Sequence, residues 1–466
     1  MKIEQIYTKC LSEAAYYVES YGECLIIDPL REIKPYIQRA REGKSKIKYV
    51  LETHFHADFV SGHVDLAKET GAEIVYGPNA KADFKFKTLN DGEFLTLGKV
   101  KIKALHTPGH TLESTCYLLI DEKGEQKALF SGDTLFIGDV GRPDLAVKTD
   151  LSREDLAGLL FDSLRNKILP LNDNIIVYPA HGSGSACGKS MSKETFDRLG
   201  NQKQTNYALK EDLSKKEFIK ELLDGILPSP LYFPKNAQMN STKPTKQIDQ
   251  IIHSGTKALS LKDLDREVSQ GALILDVRSQ KEFSEGHIPN SWFIGIDGGF
   301  APWAGSLIED LNQKILIVCP KNREEEVVKR LARVGFDNTC GYLSGSFDTW
   351  RRAGRPQEKV LNEEAKDLVD MFGRVEIVDV RKPGEFKTEH LYGAQNYPLD
   401  FLSQKKGGLD KNKPYHVHCA GGYRSVIFIS ILKSKGYQKL IDIKGGYSAL
   451  KTTSIPKINY FCTNDL

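Results

Sequence analysis

The first half of the chain alternates short apolar runs with stretches in which apolar and polar residues repeat at helical spacing. Short runs of aliphatic and β-branched residues are typical of buried strands, and apolar positions that recur every three to four residues are typical of helices. The pattern predicts strands over residues 24–28, 48–53, 100–105, 128–130 and 175–178, and helices over 64–70 and 203–223. This alternation indicates an α/β fold, in which helices cover the faces of β-sheets.

The composition changes after residue 226. Residues 227–234 contain three prolines, and residues 236–246 are polar with little apolar periodicity. Proline-rich and polar stretches of this kind are typical of connections between domains. The sequence therefore predicts a first domain over 1–226 and a linker over 227–255, which packs against another part of the chain through Tyr232 and Phe233.

The rest of the chain contains an internal repeat. Ile274-Leu-Asp-Val-Arg returns 103 residues later as Ile377-Val-Asp-Val-Arg, and a Glu-Phe pair and a histidine follow in register in both copies. Each copy then continues with a strand that ends in cysteine, a helix and a glycine-aromatic turn. A duplicated unit of alternating strands and helices predicts two domains, 256–356 and 357–466, each with a parallel sheet covered by helices.

Length and charge add limits to this picture. The 466 residues suit about three domains, and 65 basic against 62 acidic side chains give no reason to expect nucleic acid or an anionic membrane as a partner. The amino terminus lacks the apolar region of a secretory signal, and no run approaches the roughly 18 apolar residues of a membrane span. Eight scattered cysteines indicate reduced thiols. We therefore expect a cytoplasmic protein.

Histidines and carboxylates follow several of the predicted strands. The first three, His54, His56 and Asp58, are each two residues apart. Because alternate residues of an extended segment point to one side, this spacing can direct their side chains to the same place. Side chains at successive strand ends beside glycine or proline can converge on one edge of a sheet. Together these residues therefore favour a metal site over a set of unrelated surface histidines. The candidates are His54, His56, Asp58, His110, Asp133 and His181.

These residues lie in four motifs: His54-x-His56-x-Asp58, Thr-Pro-Gly-His110, Ser-Gly-Asp133 and Pro-Ala-His181. The motifs and their order resemble those of the metallo-β-lactamase superfamily. The resemblance implies an αββα sandwich for residues 1–226. In the two-metal hydrolases of that superfamily, a further histidine follows the aspartate of the first motif and binds the second metal, but this chain has Phe59 there. A phenyl ring cannot bind a metal ion, so a single metal is favoured.

Two imidazoles and one carboxylate with open positions are typical of non-haem Fe(II) that activates dioxygen. Persulfide dioxygenases, a branch of the superfamily that this chain resembles, use that arrangement. The resemblance implies one Fe(II) per chain held by His54, His110 and Asp133. The groups expected to orient the ligands, water or substrate, or to serve as alternative ligands, are His56, Asp58 and His181; whether His56 binds directly stays open.

Two further stretches, at 138–145 and 181–189, resemble the same branch. They imply that Arg142 and Cys187 contact the substrate. For Cys187 the alternative of a small buried apolar residue stays open. His63 and His106 are expected to be structural.

A second reactive segment lies in the last domain, where Cys419 begins a loop between a strand and a helix. Backbone N–H groups at a helix start favour an anion such as a thiolate, Gly421 and Gly422 let the backbone curl around the sulfur, and Arg424 adds positive charge. The Cys-x-x-x-x-Arg-Ser spacing resembles the rhodanese active site. The resemblance implies that Cys419 carries a persulfide, with Arg424 and Ser425 as catalytic partners.

The first copy departs from this pattern. The distance from its cysteine to the later glycine is one residue shorter than in the second copy, a proline follows Cys319, and three glutamates replace the Arg-Ser end. Proline removes an amide donor, and glutamates oppose a thiolate. We therefore predict that this rhodanese-like domain is inactive.

The sequence favours an Fe(II) persulfide dioxygenase that oxidises a small persulfide, such as glutathione persulfide, with O₂ to sulfite and thiol. Cys419 would transfer sulfur and make or use thiosulfate. The resemblance also implies a homo-oligomer. The main alternative is a zinc thioester hydrolase of the glyoxalase II type with a sulfur-relay tail, and a third hypothesis is a non-enzymatic sulfide sensor or sulfur carrier.

Overall fold

A computed structural model describes residues 1–144, 151–404 and 408–459. Its internal contacts divide the chain into two units, one of Met1–Ile248 with Ala332–Gly335 and the other of Asp249–Leu331 with Phe336–Leu466.

Two six-stranded sheets form the framework of the first unit. The strands are β1 (Lys2–Thr8), β2 (Glu13–Ser20), β3 (Glu23–Ile27), β4 (Lys46–Leu51), β5 (Glu73–Tyr76), β6 (Lys87–Thr88), β7 (Phe94–Leu97), β8 (Val100–His106), β9 (Thr115–Ile120), β10 (Gln126–Gly132), β11 (Ile176–Pro179) and β12 (Asp197–Arg198). One sheet runs in the order β1 to β6, and the other in the order β12-β11-β10-β9-β8-β7. β3 to β6 are parallel neighbours, and most other pairs are antiparallel.

Helices cover the outer face of each sheet. They are α1 (Lys34–Glu42), α2 (His63–Thr70), α3 (Arg153–Ser163), α4 (Leu199–Thr205) and α5 (Lys215–Leu223), with a π-helical turn at Leu164–Ile168. A further helix, α6 (Phe233–Asn240), follows them in the chain. Leu66 of α2 packs on the first sheet, and Leu160 of α3 with Phe218 of α5 packs on the second. Tyr16 and Phe130 belong to a third cluster between the sheets. The predicted αββα sandwich is therefore confirmed.

The helix predicted over 203–223 is wrong, because the structure breaks it into three pieces. α4 ends at Thr205, a 3-10 turn spans Tyr207–Leu209, and α5 begins at Lys215. The Asn206 side chain accepts a hydrogen bond from the N–H of Ala208, and Ser214 Oγ accepts one from the N–H of Glu217. Short polar side chains compete with the helical backbone for hydrogen bonds and favour helix starts, so the polarity that looked like an exposed helical face marks breaks.

The predicted linker is also more ordered than its composition suggests. It contains α6 and ends in α7 (Ile248–Gly255). Tyr232 and Phe233 are buried, as the prediction of a packed connection requires.

The second unit contains two five-stranded sheets whose neighbouring strands are all parallel. The first has the order β13-β17-β16-β14-β15 and the second the order β18-β23-β22-β19-β21. The strands are β13 (Ala258–Leu259), β14 (Leu273–Asp276), β15 (Trp292–Phe293), β16 (Ile315–Val318), β17 (Thr339–Leu343), β18 (Leu361–Glu364), β19 (Glu376–Asp379), β20 (Glu389–Leu391), β21 (Gln395–Asn396), β22 (Tyr415–His418), β23 (Leu440–Lys444) and β24 (Lys457–Asn459). β20 and β24 form a separate antiparallel pair.

Its helices follow the repeat seen in the sequence. They are α8 (Leu261–Ser269), α9 (Gln280–Glu285), α10 (Phe300–Leu307), α11 (Glu324–Arg333), α12 (Ser346–Arg352), α13 (Asp367–Met371), α14 (Pro383–Thr388), α15 (Tyr423–Ser434) and α16 (Gly446–Leu450). In both copies the arginine of the Asp-Val-Arg motif forms an ion pair with its aspartate, at 2.6 Å for Arg278–Asp276 and 2.6 Å for Arg381–Asp379. The predicted duplication of an α/β domain with a parallel sheet is confirmed.

No helix in the described parts of the chain is long and apolar enough to cross a membrane. The cysteines at described positions are all free thiols, and Cys462 lies outside the described residues.

Candidate metal centre and sulfur-transfer loop

The six predicted metal-site side chains come from loops that follow β4, β8, β10 and β11, and all six are buried. One potential ligand atom of each of His54, His110 and Asp133 lies within 4.8 Å of the others. His56, Asp58 and His181 form a second group with the same spacing. The structure thus brings together both sets that the sequence distinguished.

The Asp133 carboxylate lies between the two groups. Its Oδ2 is 3.3 Å from His110 Nε2 and 3.9 Å from His54 Nε2, and its Oδ1 is 3.6 Å from His181 Nε2. Among the described residues neither oxygen has a hydrogen-bond partner, although both are buried. Burying a carboxylate without a compensating charge or hydrogen bonds is costly, so this arrangement fits a ligand of a cation.

Hydrogen bonds to backbone carbonyls orient two of the imidazoles. His110 Nδ1 lies 2.7 Å from the carbonyl oxygen of Arg142, and His181 Nδ1 lies 3.3 Å from that of Ser12. A carbonyl only accepts, so each Nδ1 carries the proton and each Nε2 turns its lone pair toward the centre. Orientation of this kind is typical of metal-binding histidines.

His54 is electrostatically suited to bind a cation. Burial, followed by the neighbouring imidazoles of His56 and His110, holds the pKa of His54 well below its ordinary value. The ring is therefore neutral, which is the form that binds a metal ion.

His56 is directed to a different partner. Its Nε2 lies 3.0 Å from Asp28 Oδ1 and 3.5 Å from Glu52 Oε2. Burial alone would lower the pKa of His56, but the Asp28 and Glu52 carboxylates outweigh it and raise the pKa to about 10. Asp28 is itself fixed, because its Oδ1 accepts from the N–H of Thr53 at 2.7 Å. Neither ring nitrogen of His56 has a hydrogen-bond partner among the described residues, and His56 also belongs to the second group of potential ligands with Asp58 and His181.

Phe59 occupies the position at which a second-metal histidine would stand. Its side chain is fully buried, and its ring centroid lies 4.3 Å from that of His56. The apolar ring occupies this position and offers no donor atom to a metal ion. The nitrogen and oxygen donors of the surrounding histidines and carboxylates suit both Fe(II) and Zn(II).

Cys187 lies beside this centre. Its sulfur belongs to a group with Asp133 and His181 whose potential ligand atoms lie within 4.8 Å of one another. Burial, reinforced by the Asp58 and Asp133 carboxylates, raises the pKa of the Cys187 thiol well above its ordinary value.

Arg142, which the sequence assigned to the substrate, has its guanidinium engaged. Nε and Nη2 pair with the Asp144 carboxylate at 2.6 and 2.7 Å, and Nη2 also donates to the Leu227 carbonyl. The Arg142 carbonyl is the group that contacts His110. Glycine is required beside it, because a Cβ at Gly141 would lie 2.1 Å from the Asp133 carbonyl oxygen and 2.9 Å from His110 Nδ1.

Sequence reasoning missed Asn240, the last residue of α6. Its Nδ2 donates to the carbonyls of His56 and Phe59, both at 2.7 Å, and its Oδ1 accepts from the N–H of Ser61 at 2.8 Å. Asn240 is buried and satisfies three backbone groups of the loop that carries the first motif. An asparagine in a polar stretch gave no local signal of this role.

The loop after β22 surrounds Cys419, which is 1% exposed. The N–H of Gly422 donates to Cys419 Sγ at 3.0 Å, and Ser425 Oγ lies 3.8 Å from the same sulfur. Gly422 has a φ of 104°, which a residue with a Cβ rarely adopts, whereas a Cβ at Gly421 would meet no atom within 4 Å. The predicted curl of the backbone around the sulfur is present.

Arg424 is not an isolated positive charge in this loop. Its guanidinium pairs with Glu385 through two contacts of 2.6 and 2.8 Å. The Glu385 carboxylate therefore balances part of the positive charge that Arg424 was expected to provide near the Cys419 sulfur.

The corresponding loop of the first copy differs in its electrostatics. Burial, with Glu324 as the next largest influence, raises the pKa of Cys319 to about 12. Arg323 pairs with Asp297 and Glu326. The Cys319 thiol is therefore protonated near neutral pH.

Comparison with known proteins places these sites in families. The sequence profile of the metallo-beta-lactamase superfamily matches residues 8–181. Hydroxyacylglutathione hydrolase GloC of Haemophilus influenzae is 34% identical over 193 residues, which are 37% of this chain and 85% of the relative. The chain belongs to the metallo-beta-lactamase superfamily. It covers only 56% to 60% of the length of further hydroxyacylglutathione hydrolases from Schizosaccharomyces pombe and Arabidopsis thaliana.

Solved structures extend the likeness. A metallo-beta-lactamase from Staphylococcus aureus subsp. aureus COL is 32% identical, with a TM-score of 0.65 over 73% of this chain and 98% of that chain. ETHE1 from Myxococcus xanthus is 26% identical, with a TM-score of 0.44 over 52% of this chain and 100% of that chain. The profile of the rhodanese-like domain matches residues 260–353 and 362–453. The metallo-beta-lactamase domain is therefore followed by two rhodanese-like domains.

Proposed function

We propose that the protein is a persulfide dioxygenase with one Fe(II), coupled to rhodanese sulfur transfer at Cys419. The observation that carries the proposal is Phe59, which stands where the two-metal hydrolases have a histidine that binds the second metal. The two imidazoles and one carboxylate that would hold the iron are those of His54, His110 and Asp133. When bound there, Fe(II) would supply the open coordination positions and redox chemistry that activation of O₂ requires.

The chain's own residues would hold and orient this centre. His110 and His181 turn Nε2 inward because their Nδ1 protons are held by backbone carbonyls. Cys187 places a neutral, polarisable sulfur beside the centre, where it would contact the persulfide. The overall reaction takes up one persulfide RSSH, O₂ and water, and gives the thiol RSH, sulfite and two protons.

Sulfur transfer would use the loop after β22. A persulfide on Cys419 would be attacked at its outer sulfur by sulfite, the S–S bond to Cys419 would break, and thiosulfate and the Cys419 thiolate would leave. The N–H of Gly422 is placed to stabilise that thiolate. The protonated Cys319 supports our proposal that the first rhodanese-like domain is inactive.

The second candidate is a zinc-dependent thioester hydrolase of the glyoxalase II type. It is favoured by the 34% identity to hydroxyacylglutathione hydrolase GloC over 193 residues. Both candidates would act on sulfur carried by a small thiol, so the metal and the reaction distinguish them. Phe59 weighs against the hydrolase, because it removes a donor that a two-metal site needs.

The deciding experiment is oxygen uptake by protein reconstituted anaerobically with Fe(II), on addition of glutathione persulfide. We expect uptake with sulfite formed, and loss of both in His110→Ala. His106→Ala is the matched control, since His106 is partly exposed and outside both ligand groups. Iron-loaded protein that takes up no oxygen with any small persulfide, while zinc-loaded protein hydrolyses a glutathione thioester, would establish the second candidate.

Sulfur transfer is tested separately with thiosulfate as the donor. Cys419→Ser should abolish transfer, and Cys319→Ser should leave it unchanged. Retention of transfer in Cys419→Ser would remove the proposed role of the last domain.

A further inference from the structure

The helix that follows the Cys419 loop, α15, packs against the first rhodanese-like domain. Ser430 Oγ accepts a hydrogen bond from the N–H of Phe293 at 2.9 Å, and Trp292 Nε1 donates to Ser434 Oγ at 2.8 Å. Phe293 and Ser430 are both buried. Because buried polar groups are costly to leave unpaired, these bonds hold β15 of the first copy against one face of α15.

Tyr423, the first residue of α15, joins the end of the Cys419 loop to the first copy. Its hydroxyl donates to the Gly295 carbonyl at 2.7 Å, and its ring meets that of Phe293 edge-on, with the centroids 5.7 Å apart. A Cβ at Gly298 would lie 2.6 Å from the Tyr423 hydroxyl oxygen. The segment of the first copy that contains Gly295 and Gly298 therefore has the shape that Tyr423 requires.

Gln280 of the first copy brings a side-chain amide to the Cys419 loop itself. A Cβ at Gly422 would lie 2.8 Å from Gln280 Nε2 and 3.7 Å from its Oε1, so the amide nitrogen is the nearer group. Ser279 fixes the backbone here, because its Oγ accepts from the N–H of Glu282 and its own N–H donates to the Glu282 carboxylate.

The amide of Gln280 is available to a ligand. Gln280 is partly buried, and among the residues that the structure describes its side chain has no hydrogen-bond partner. The amide nitrogen carries two protons that can be donated. An unpaired donor beside a reactive loop is suited to bind an acceptor that enters the loop.

The Cys419 loop is open on the side of Gly421. Gly421 is exposed, and a Cβ there would meet no atom within 4 Å. The next residue, Gly422, is buried, and its N–H donates to Cys419 Sγ at 3.0 Å. A small ligand thus has room beside Gly421, and Gln280 bounds the neighbouring position at Gly422.

The charges near the loop favour this amide as the donor for an anion. The Arg424 guanidinium is paired with Glu385. In the segment that receives Tyr423, the carboxylate of Asp297 is paired with Arg323 at 2.7 Å. An anion that approached either arginine would compete with a carboxylate, whereas the neutral amide of Gln280 has no such competitor.

We propose that the first rhodanese-like domain completes the substrate site of the second, and that Gln280 is a specificity-determining residue that donates to the oxygens of a sulfur oxyanion. When thiosulfate loads Cys419, the Cys419 thiolate attacks the outer sulfur, the S–S bond of thiosulfate breaks, and sulfite leaves with the electron pair. Gln280 donates to the oxygens that depart with sulfite. This inference rests on the proposed sulfur transfer at Cys419.

The role given to Gln280 makes the site selective between two kinds of sulfur donor. Thiosulfate carries three oxygens on its inner sulfur and can accept from the amide. Inorganic polysulfide would load Cys419 by the same attack on sulfur, with a shorter polysulfide as the leaving group, but it has no oxygen. Loss of the amide should therefore impair loading by thiosulfate and spare loading by polysulfide.

The test is the second-order rate constant for loading Cys419 with each donor, measured on the full chain without oxygen by mass spectrometry of the peptide that contains Cys419. Gln280→Met keeps the length of the side chain and removes the donor. Hydrogen bonds to charged groups are stronger than those between neutral groups, so the constant for thiosulfate should fall about tenfold. The constant for polysulfide should not change.

Gln270→Met is the matched control, because Gln270 is an exposed glutamine of the same domain whose side chain accepts from Lys314. It should leave both constants unchanged. Alkylation of Cys419 by iodoacetamide, which is uncharged, should be equal in Gln280→Met and the unmodified chain, since the thiolate and its loop stay intact.

Two results would overturn the inference about Gln280 alone. One is an unchanged constant for thiosulfate in Gln280→Met, and the other is an equal fall with both donors, which would mean that Gln280 only supports the loop. A different result, in which neither donor loads Cys419 of the unmodified chain, would contradict the proposed sulfur transfer and the inference with it.

Discussion

Removing the Asn240 side chain should destabilise the loop that carries His56, Phe59 and Ser61. Asn240→Ala deletes three hydrogen bonds, of 2.7, 2.7 and 2.8 Å, to the backbone of His56, Phe59 and Ser61. Each such bond contributes about 1 kcal/mol net, and the groups left behind stay buried, so the free energy of unfolding should fall by about 3 kcal/mol. For a unit of this size that corresponds to a fall in Tm of roughly 6–12 °C.

Asn236→Ala is the matched control for this experiment. Asn236 lies one turn earlier on the same helix and is also buried, but among the described residues its Nδ2 and Oδ1 have no hydrogen-bond partner. Its removal deletes a similar volume and no bond, so we expect a loss below about 1 kcal/mol.

Calorimetry measures both variants, and the transition that moves when metal is added identifies the first unit. Metal content after dialysis should also fall in Asn240→Ala. If the two variants shift Tm equally, or if Asn240→Ala keeps its Tm and its metal, Asn240 does not hold the loop.

Three further outcomes are expected. Phe59→His should raise the zinc content from one towards two ions per chain, measured by elemental analysis, and an unchanged content of one would contradict the role given to Phe59. Gly422→Ala forces a Cβ at a φ of 104° and to 2.8 Å from Gln280 Nε2, so sulfur transfer should fall at least tenfold, a loss of about 1.4 kcal/mol or more. Gly421→Ala, which has open space, should retain transfer, and equal rates in the two variants would refute this reasoning. Burial holds the pKa of His287 at about 4, below its ordinary value, so its neutral form stabilises the second unit above about pH 6.5 and that contribution, at most about 3 kcal/mol, is lost as the pH falls towards 4. His287→Gln should show a shallower decline of urea-unfolding stability over that range, and parallel curves would argue against it.

The sequence predicted which side chains lie together at the candidate metal centre, because the signals are local. His54, His110, Asp133 and His181 each follow a strand, and a strand end beside glycine or proline can be recognised within a few residues. The duplicated domain was equally visible, because its two copies could be compared with each other. Strand positions followed from apolar runs such as that of β8.

Features that depend on distant contacts were not predictable in this way. The bonds of Asn240 reach 184 and 181 residues back along the chain, so no local pattern announces them. The break between α4 and α5 was missed for a different reason, since Asn206 and Ser214 are polar residues that also suit an exposed helical face.

The ion pair of aspartate and arginine that recurs in both rhodanese-like domains has a consequence for how duplicated domains diverge in sequence. Both copies keep it at 2.6 Å, while only the second keeps a loop suited to a thiolate. The ion pair therefore stabilises the domain fold and does not depend on whether the cysteine loop suits a thiolate. When one copy is no longer required for catalysis, its cysteine loop can acquire prolines and acidic side chains while its sheet is retained. A rhodanese-like domain that does not react, as we propose for the first copy, can in this way keep its fold.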